Sequence, residues 1–275
     1  MSTTNSETKS EALKDLVNNP VSRRAFAKRT MVGSLMAAGA FATSGAAQVF
    51  AQSVTDEAIL NFALNLEYLE AEFYTVATTG QRIADLGIGI TGRGRSGATT
   101  GGAKVSLDTN TMTVANHVAV DEQNHVRFLR VALGSAAVAK PAINLEALTI
   151  GFRSQSEFLI LARAFEDLGV SAYGGAAKLI KSSAILEAAA RIALTEGQHA
   201  GVFRYLIAVA NTAVPQNDNK DVPPLGSPAG RLFQVEGNGL STIRTAGEVL
   251  KVAYGGGTTS GGFYPDGVNG DIRSA

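Results

Sequence analysis

The sequence predicts an all-α chain whose central part is a four-helix bundle, followed by a long irregular C-terminal tail. Three observations predict it. Apolar residues recur at spacings of three and four in four segments of about 22–28 residues, roughly 33–42 Å at 1.5 Å per residue. No alternating apolar–polar run of strand type appears. The 275 residues are 45% hydrophobic, enough for an ample core and too much for a mainly disordered chain.

The charge count narrows the function classes. With 24 basic and 24 acidic side chains the net charge is zero, which gives no electrostatic case for nucleic acid as a main partner. There is no Cys, so a disulfide framework, a thiolate metal site and a cysteine nucleophile are excluded. Transition-metal chemistry must rest on carboxylates and the three His.

The first 51 residues read as a leader. A polar stretch, 1–21, precedes Ser22-Arg23-Arg24-Ala25-Phe26-Ala27-Lys28. A mildly apolar Ala/Gly-rich stretch then runs from Met31 to Ala51 and ends in Val49-Phe50-Ala51, with small residues where a signal peptidase reads. The paired arginines with Phe and Lys after them resemble the twin-arginine signal of bacterial export. That resemblance implies the twin-arginine export machinery as a partner and a chain exported already folded. It also implies a periplasmic or extracellular location. The stretch is too weakly apolar for a stable membrane span after cleavage. Six basic and three acidic groups leave with the leader, so the mature chain carries a net −3. Three of the four Met leave too, and few oxidisable side chains remain.

The domain reading is therefore a signal at 1–51, a bundle at 52–212, and an extension at 213–275 packing on or beside the bundle. The first helix runs from Val54 to about Thr78, with apolar residues at 59, 60, 62, 63, 66, 69, 73 and 76. Ser53-Val54-Thr55-Asp56 supplies a capping-box-like start. A link from about Gly80 to Lys104 has seven Gly between 87 and 102 and reads as a flexible connection. Its Gly92-Arg93-Gly94-Arg95 lacks the preceding strand and the Walker pattern of a phosphate loop. The second helix runs from about Met112 to Leu133 and stops at Gly134. Residues 143–150 are a candidate helical turn. The third starts at the capping box Ser154-Gln155-Ser156-Glu157 and runs to about Lys181. The fourth runs from about Ala184 to Ala210, ended by Asn211 and Pro215. Beyond it, 241–254 is a short amphipathic candidate in an otherwise Gly- and Pro-rich tail. The link lengths leave the bundle topology open.

The polar residues inside these apolar faces carry the chemistry. Helix two has Glu122 and His125, helix four Glu196 and His199, each pair at i, i+3 on one face. A charged Glu among apolar neighbours is costly unless paired or bound to a cation. Helix one has Glu67 with Tyr74 seven residues on, and helix three has Glu166 with Tyr173 seven residues on. An arginine follows each His by five residues, Arg130 and Arg204. The chain thus reads Glu-x6-Tyr, then Glu-x2-His, then both again, as after a helix-hairpin duplication. Glu67 is preferred over Glu70 because its spacing to Tyr74 recurs at Glu166 and Tyr173. Glu72 is expected to point outward. His117 reads as a surface or packing histidine, and Asp121 and Asp167 as solvated neighbours on other faces.

This constellation resembles the ferritin-like di-iron or di-manganese carboxylate bundle. Leu64-Asn65-Leu66-Glu67-Tyr68-Leu69-Glu70-Ala71-Glu72-Phe73-Tyr74 and the ending Gly-Gly-Phe-Tyr-Pro at 261–265 are similar to exported ferritin-like proteins related to plant desiccation proteins. The resemblance implies metal ligands at Glu67, Glu122, His125, Glu166, Glu196 and His199. Tyr74 and Tyr173 would act as donors that orient Glu ligands. It implies two Fe or Mn ions, since four carboxylates balance two divalent cations. The expected function is redox chemistry on ferrous iron or peroxide in stress protection, by a monomer or a homo-oligomer. The alternative expectation is a non-catalytic protective bundle with a degenerate or purely structural metal site.

Overall fold

A computed structural model describes residues 54–227 and 230–275; the export-signal reading lies outside the described residues. Four long helices make the bundle: α1 (Asp56–Thr79), α2 (Thr109–Leu133), α3 (Gln155–Ala176) and α4 (Ser183–Ala210). A short α5 (Ala246–Ala253) follows in the tail. None of the described helices is long and apolar enough to cross a membrane.

Side-chain oxygens set the helix starts. Thr55, Asp108, Ser154, Ser182 and Thr245 each accept a backbone N–H of the first turn, satisfying donors that no helix can satisfy itself. α4 stops at Asn211, which adopts left-handed backbone at φ 49° and closes the last turn.

The contacts fix the topology that link lengths left open. Along α1 and α2, Asn61 meets Ala136 just past α2, Tyr68 meets Arg130 and Thr75 meets Gln123, so the two are antiparallel. Along α3 and α4, Phe158 meets Phe203 and Glu166 meets His199, again antiparallel. α1 and α3 are also antiparallel, since Tyr74 meets Ala162 and Glu67 meets Tyr173. The segment 134–154 therefore runs the length of the bundle between α2 and α3.

Three expectations are corrected here. The glycine-rich link is no loose connection. It lies along the 134–154 crossover through backbone bonds such as Arg93 N–H to Ala137 O (2.9 Å) and Leu145 N–H to Thr100 O (3.0 Å). It also forms a two-residue parallel pair, β1 (Thr99–Thr100) with β2 (Ile143–Asn144). Its glycines serve close approach: a Cβ at Gly97 would lie 2.1 Å from the Ala142 nitrogen. Residues 143–150 are not a helical turn but β2 followed by turns. Glu72 does not reach solvent. The link folds over that side of α1, and Glu72 accepts from the Thr99 hydroxyl (2.8 Å) and pairs with Lys140 (3.5 Å).

Almost every residue of α1 from Ala58 to Thr78 is buried, because α2, α3, the link and the tail surround it. Each fully buried Leu or Phe contributes about 1.5–3 kcal/mol relative to exposure. Phe73, Tyr74, Phe152, Phe158, Phe165 and Phe203 pack edge-on or stacked at one end of this core.

Charged groups pin the tail to the bundle. Arg163 on α3 binds both carboxylate oxygens of Asp221 at 2.7–2.8 Å. Arg204 on α4 binds Asp167 and donates to the Val222 carbonyl (2.6 Å). Asp167 is thus fully buried, which corrects its reading as a solvated neighbour. Further along, the Tyr264 hydroxyl donates to the Asn65 carbonyl (2.7 Å) and Asn269 bonds both Asn65 and the link.

Candidate metal centre

Six side chains from the four bundle helices converge at mid-height. Glu67 (α1), Glu122 and His125 (α2), Glu166 (α3), and Glu196 and His199 (α4) are all buried. Their ligand-type atoms form two overlapping groups, each within 4.8 Å: Glu67, Glu122, Glu196 and His125, and Glu122, Glu166, Glu196 and His199. Glu122 and Glu196 belong to both groups, the position a carboxylate bridging two ions would take. The structure brings together every residue the sequence proposed as a ligand.

The distances suit convergence on a shared point better than mutual hydrogen bonding. His125 Nδ1 lies 3.2 Å from Glu67 and 3.1 Å from Glu122 and bonds both. His199 Nδ1 lies 3.0 Å from Glu122 Oε1 and 3.2 Å from Glu166 Oε2, yet in directions that make no hydrogen bond. Both oxygens of Glu166, both of Glu196 and Oε1 of Glu122 are buried without a hydrogen-bond partner. Such orphaned acceptors are costly, and cations are what they would accept. Oxygen and imidazole donors without sulfur suit Fe or Mn. The residues present therefore fit a pair of such ions.

The two tyrosines act crosswise. Tyr173 of α3 donates to Glu67 of α1 at 2.5 Å. Tyr74 of α1 donates to the Ala162 carbonyl (3.3 Å) and lies beside Glu166, whose charge, with burial, keeps the Tyr74 phenol well above its ordinary pKa. Sharing a face with one Glu thus placed each tyrosine against the other. The arginines also repeat: Arg130 donates to Tyr68, next to Glu67, and Arg204 to Asp167, next to Glu166.

The structure adds two features to the sequence reading. Asp121 is half-exposed, in keeping with its reading as a solvated neighbour, and it also approaches His199 Nε2 at 3.2 Å, holding the ring so that Nδ1 faces the centre. The His125 side has Thr195 at the repeat-related position, and no carboxylate there. Glu70 is buried too. Burial and the charge of Glu196, then of Glu122, Glu67 and Glu166, push it well above the carboxylate range. Its repeat-related position is Gly169, where a Cβ would lie 2.4 Å from Glu196 Oε2 and 3.3 Å from Glu70 Oε1. A glycine there makes room for both carboxyls. The i+3 spacing from Glu67 was the signal for Glu70; nothing in one sequence marked Gly169. His117 is exposed, as expected.

Proton linkage gives the metal-free centre a pH dependence. Burial, then the charges of Glu196 and Glu67, raise Glu122 from 4.5 to about 7; burial and Glu166 raise Glu196 to about 8. Burial opposes the imidazolium of His199, but Glu166 and Glu122 outweigh it and push it up to about 12; His125 is raised likewise. Burial also opposes the Glu67 carboxylate, yet His125 holds it below its ordinary range. Raised carboxyls contribute stability that is fully present below 4.5 and lost as pH rises through their folded values. The raised imidazoles contribute in the same sense, from 6.5 upward. Metal binding needs these ligands deprotonated, so affinity rises over the same range. The melting temperature of chelated protein should fall between pH 5 and 8, and the gain on adding Mn²⁺ or Fe²⁺ should grow. A metal-induced gain that shrinks with pH would contradict this site.

A family model described as a ferritin-like domain matches residues 55–209, which hold all six converging residues. A ferritin-like catalase, Nec2 of Nesocodon mauritianus, is 25% identical over 263 residues, covering 78% of this chain and 83% of that protein.

Proposed function

Because the chain belongs to the ferritin-like domain family, we propose that its centre holds two Fe or Mn ions and acts on peroxide. The observation that carries this reading is the pair of overlapping buried ligand groups sharing Glu122 and Glu196. Four carboxylates would neutralise two divalent cations, which makes burial of the centre tolerable. The similarity to a ferritin-like catalase favours peroxide over ferrous iron as substrate.

When bound, the metals supply a two-electron redox change, with which two hydrogen peroxide molecules become two waters and one dioxygen. The chain's own residues prepare that chemistry. Glu122 and Glu196, which belong to both groups, would hold both ions. Tyr173 fixes the Glu67 carboxylate and Asp121 fixes the His199 ring, so neither ligand must reorganise. The aromatic cluster around Phe73, Tyr74, Phe158 and Phe203 excludes water from one end.

The same reading includes a protein exported folded by the twin-arginine machinery, with residues 1–51 removed, and located in the periplasm or outside the cell. Residues 52–212 are then the metal-holding bundle and 213–275 an extension upon it. Peroxide removal by an exported protein suits protection under oxidative or drying stress. The relation to desiccation proteins rests on the sequence wording at 64–74 and 261–265.

Metal analysis of protein purified from the periplasm tests this. The expectation is about two Fe or Mn per chain, stability lost on chelation, and oxygen evolution from hydrogen peroxide. Fewer than about one metal per chain, with no loss of stability on chelation, would overturn the metal centre and leave a non-catalytic protective bundle. Ferrous oxidation without oxygen evolution would move the activity to iron.

A further inference from the structure

A cavity of about 560 Å³ lies between the bundle and the tail, within the size range of small-molecule sites. Leu66 and Leu69 of α1, Leu161, Phe165 and Leu168 of α3, and Phe263 of the tail form its walls, all buried. Tail segments around 215–220 and 251–256 form its rim, where Gln216, Asn219 and Lys251 are exposed, so it opens to solvent. The rim is built firmly: Arg163 holds Asp221 and Arg244 holds Asp218 (2.9 Å).

Glu70 and Gly169 also line this cavity. They stand against Glu196, since a Cβ on Gly169 would meet its Oε2 at 2.4 Å. The cavity thus reaches the centre at the place where the repeat is broken by a carboxyl on one side and a missing side chain on the other. The carboxylates at the rim are matched. Lys220 pairs with Glu248 (2.6 Å) and Asp218 with Arg244, while the Lys251 ammonium donates to the neutral Gly256 carbonyl. Apolar walls and a rim whose carboxylates are paired offer little to a free cation. They suit a neutral molecule, and the volume is many times that of a peroxide, at about 30 Å³ per water-sized molecule.

We infer that this cavity is a binding compartment for a neutral organic molecule with an apolar body, whose polar end meets Glu70 beside the centre. The inference deepens the proposed function by giving that centre an organic ligand and by excluding ferrous ion from this route.

The test uses the full chain and 2-phenyl-2-propanol, a neutral alcohol with an apolar body, followed by ligand-observed NMR titration. Benzoate serves as the anionic counterpart. Saturable binding of the alcohol is expected, with benzoate weaker by roughly tenfold or more. Ala164→Phe, which fills the cavity from a half-buried wall position, should weaken the alcohol by roughly tenfold. Leu148→Trp, at an exposed lining position, should do the same if the first variant folds poorly. Val131→Ser on the exposed face of α2 should change nothing. Absence of binding, equal binding of benzoate, or indifference to the cavity variants overturns the inference. The readout needs neither metal nor turnover. Alcohol binding to a chain that holds no metal sinks the proposed function and leaves the compartment; oxygen evolution from a chain that does not bind the alcohol does the reverse.

Discussion

Glu122→Gln should abolish metal loading while leaving the metal-free chain as stable as before, or more so. Glu122 belongs to both ligand groups, so its loss removes a donor from each sub-site at once. A ligand lost from one sub-site alone would leave the other intact. In the metal-free chain the same substitution removes a buried charge crowded against Glu196 and Glu67; burial, and then their repulsion, already push Glu122 up to about 7. The wild-type chain at a metal concentration of 100 times its Kd gains about 2.7 kcal/mol from binding, and the variant should gain none. Glu196→Gln should behave alike. Metal analysis, with thermal melts in the presence and absence of chelator, reads both effects. A Glu122→Gln chain that keeps about two metals would mean that the buried carboxylates serve another purpose.

Arg204→Ala carries the largest expected loss of stability. The Arg204 guanidinium is fully buried, bonds Asp167 through two nitrogens at 2.6–3.1 Å, and donates to the carbonyls of Val222 and Arg231. Removing it leaves the Asp167 carboxylate only the longer bond from Arg163 (3.3 Å), whose nitrogen is shared with Asp221, and burial already raises Asp167 above its ordinary pKa despite two arginines. Breaking a buried pair by deleting one partner costs about 3–5 kcal/mol. Arg204→Lys should recover part of that, because one ammonium can hold the carboxylate but not both tail carbonyls. Denaturant unfolding of chelated protein isolates this from metal effects. A loss below about 1 kcal/mol would show that the network contributes little to holding the tail.

The bundle helices were legible because each presents a periodic apolar face bounded by caps. Ser154 starts its helix and Asn211 ends its own as the sequence indicates, and Thr55 caps the first helix two residues inside the start read there. The six converging residues were legible for a related reason. A Glu inside an apolar face is physically anomalous, and four of them in a repeated spacing with two His form a pattern that packing alone does not require. The misreadings share a different cause. Glu72 and Asp167 were assigned to solvent from their angular position on one helix, yet both are buried. That position says which way a side chain leaves the helix and nothing about what lies there.

What lies there came from parts of the chain without periodicity. The glycine-rich link buried Glu72, and the segment around Val222 and Arg231 covered the Asp167–Arg204 pair. The tyrosine exchange between α1 and α3 has the same origin, since two antiparallel helices place residue seven of one against residue zero of the other. By itself the sequence determined the helices, the six converging residues and their internal repeat, because these rest on local spacing and on the cost of burying charge. Only the tertiary structure decided which carboxylates belong to both groups, which tyrosine serves which carboxylate, and where the cavity under the tail meets Glu70. Those depend on helix direction and on irregular segments closing over the bundle, and no local period encodes either.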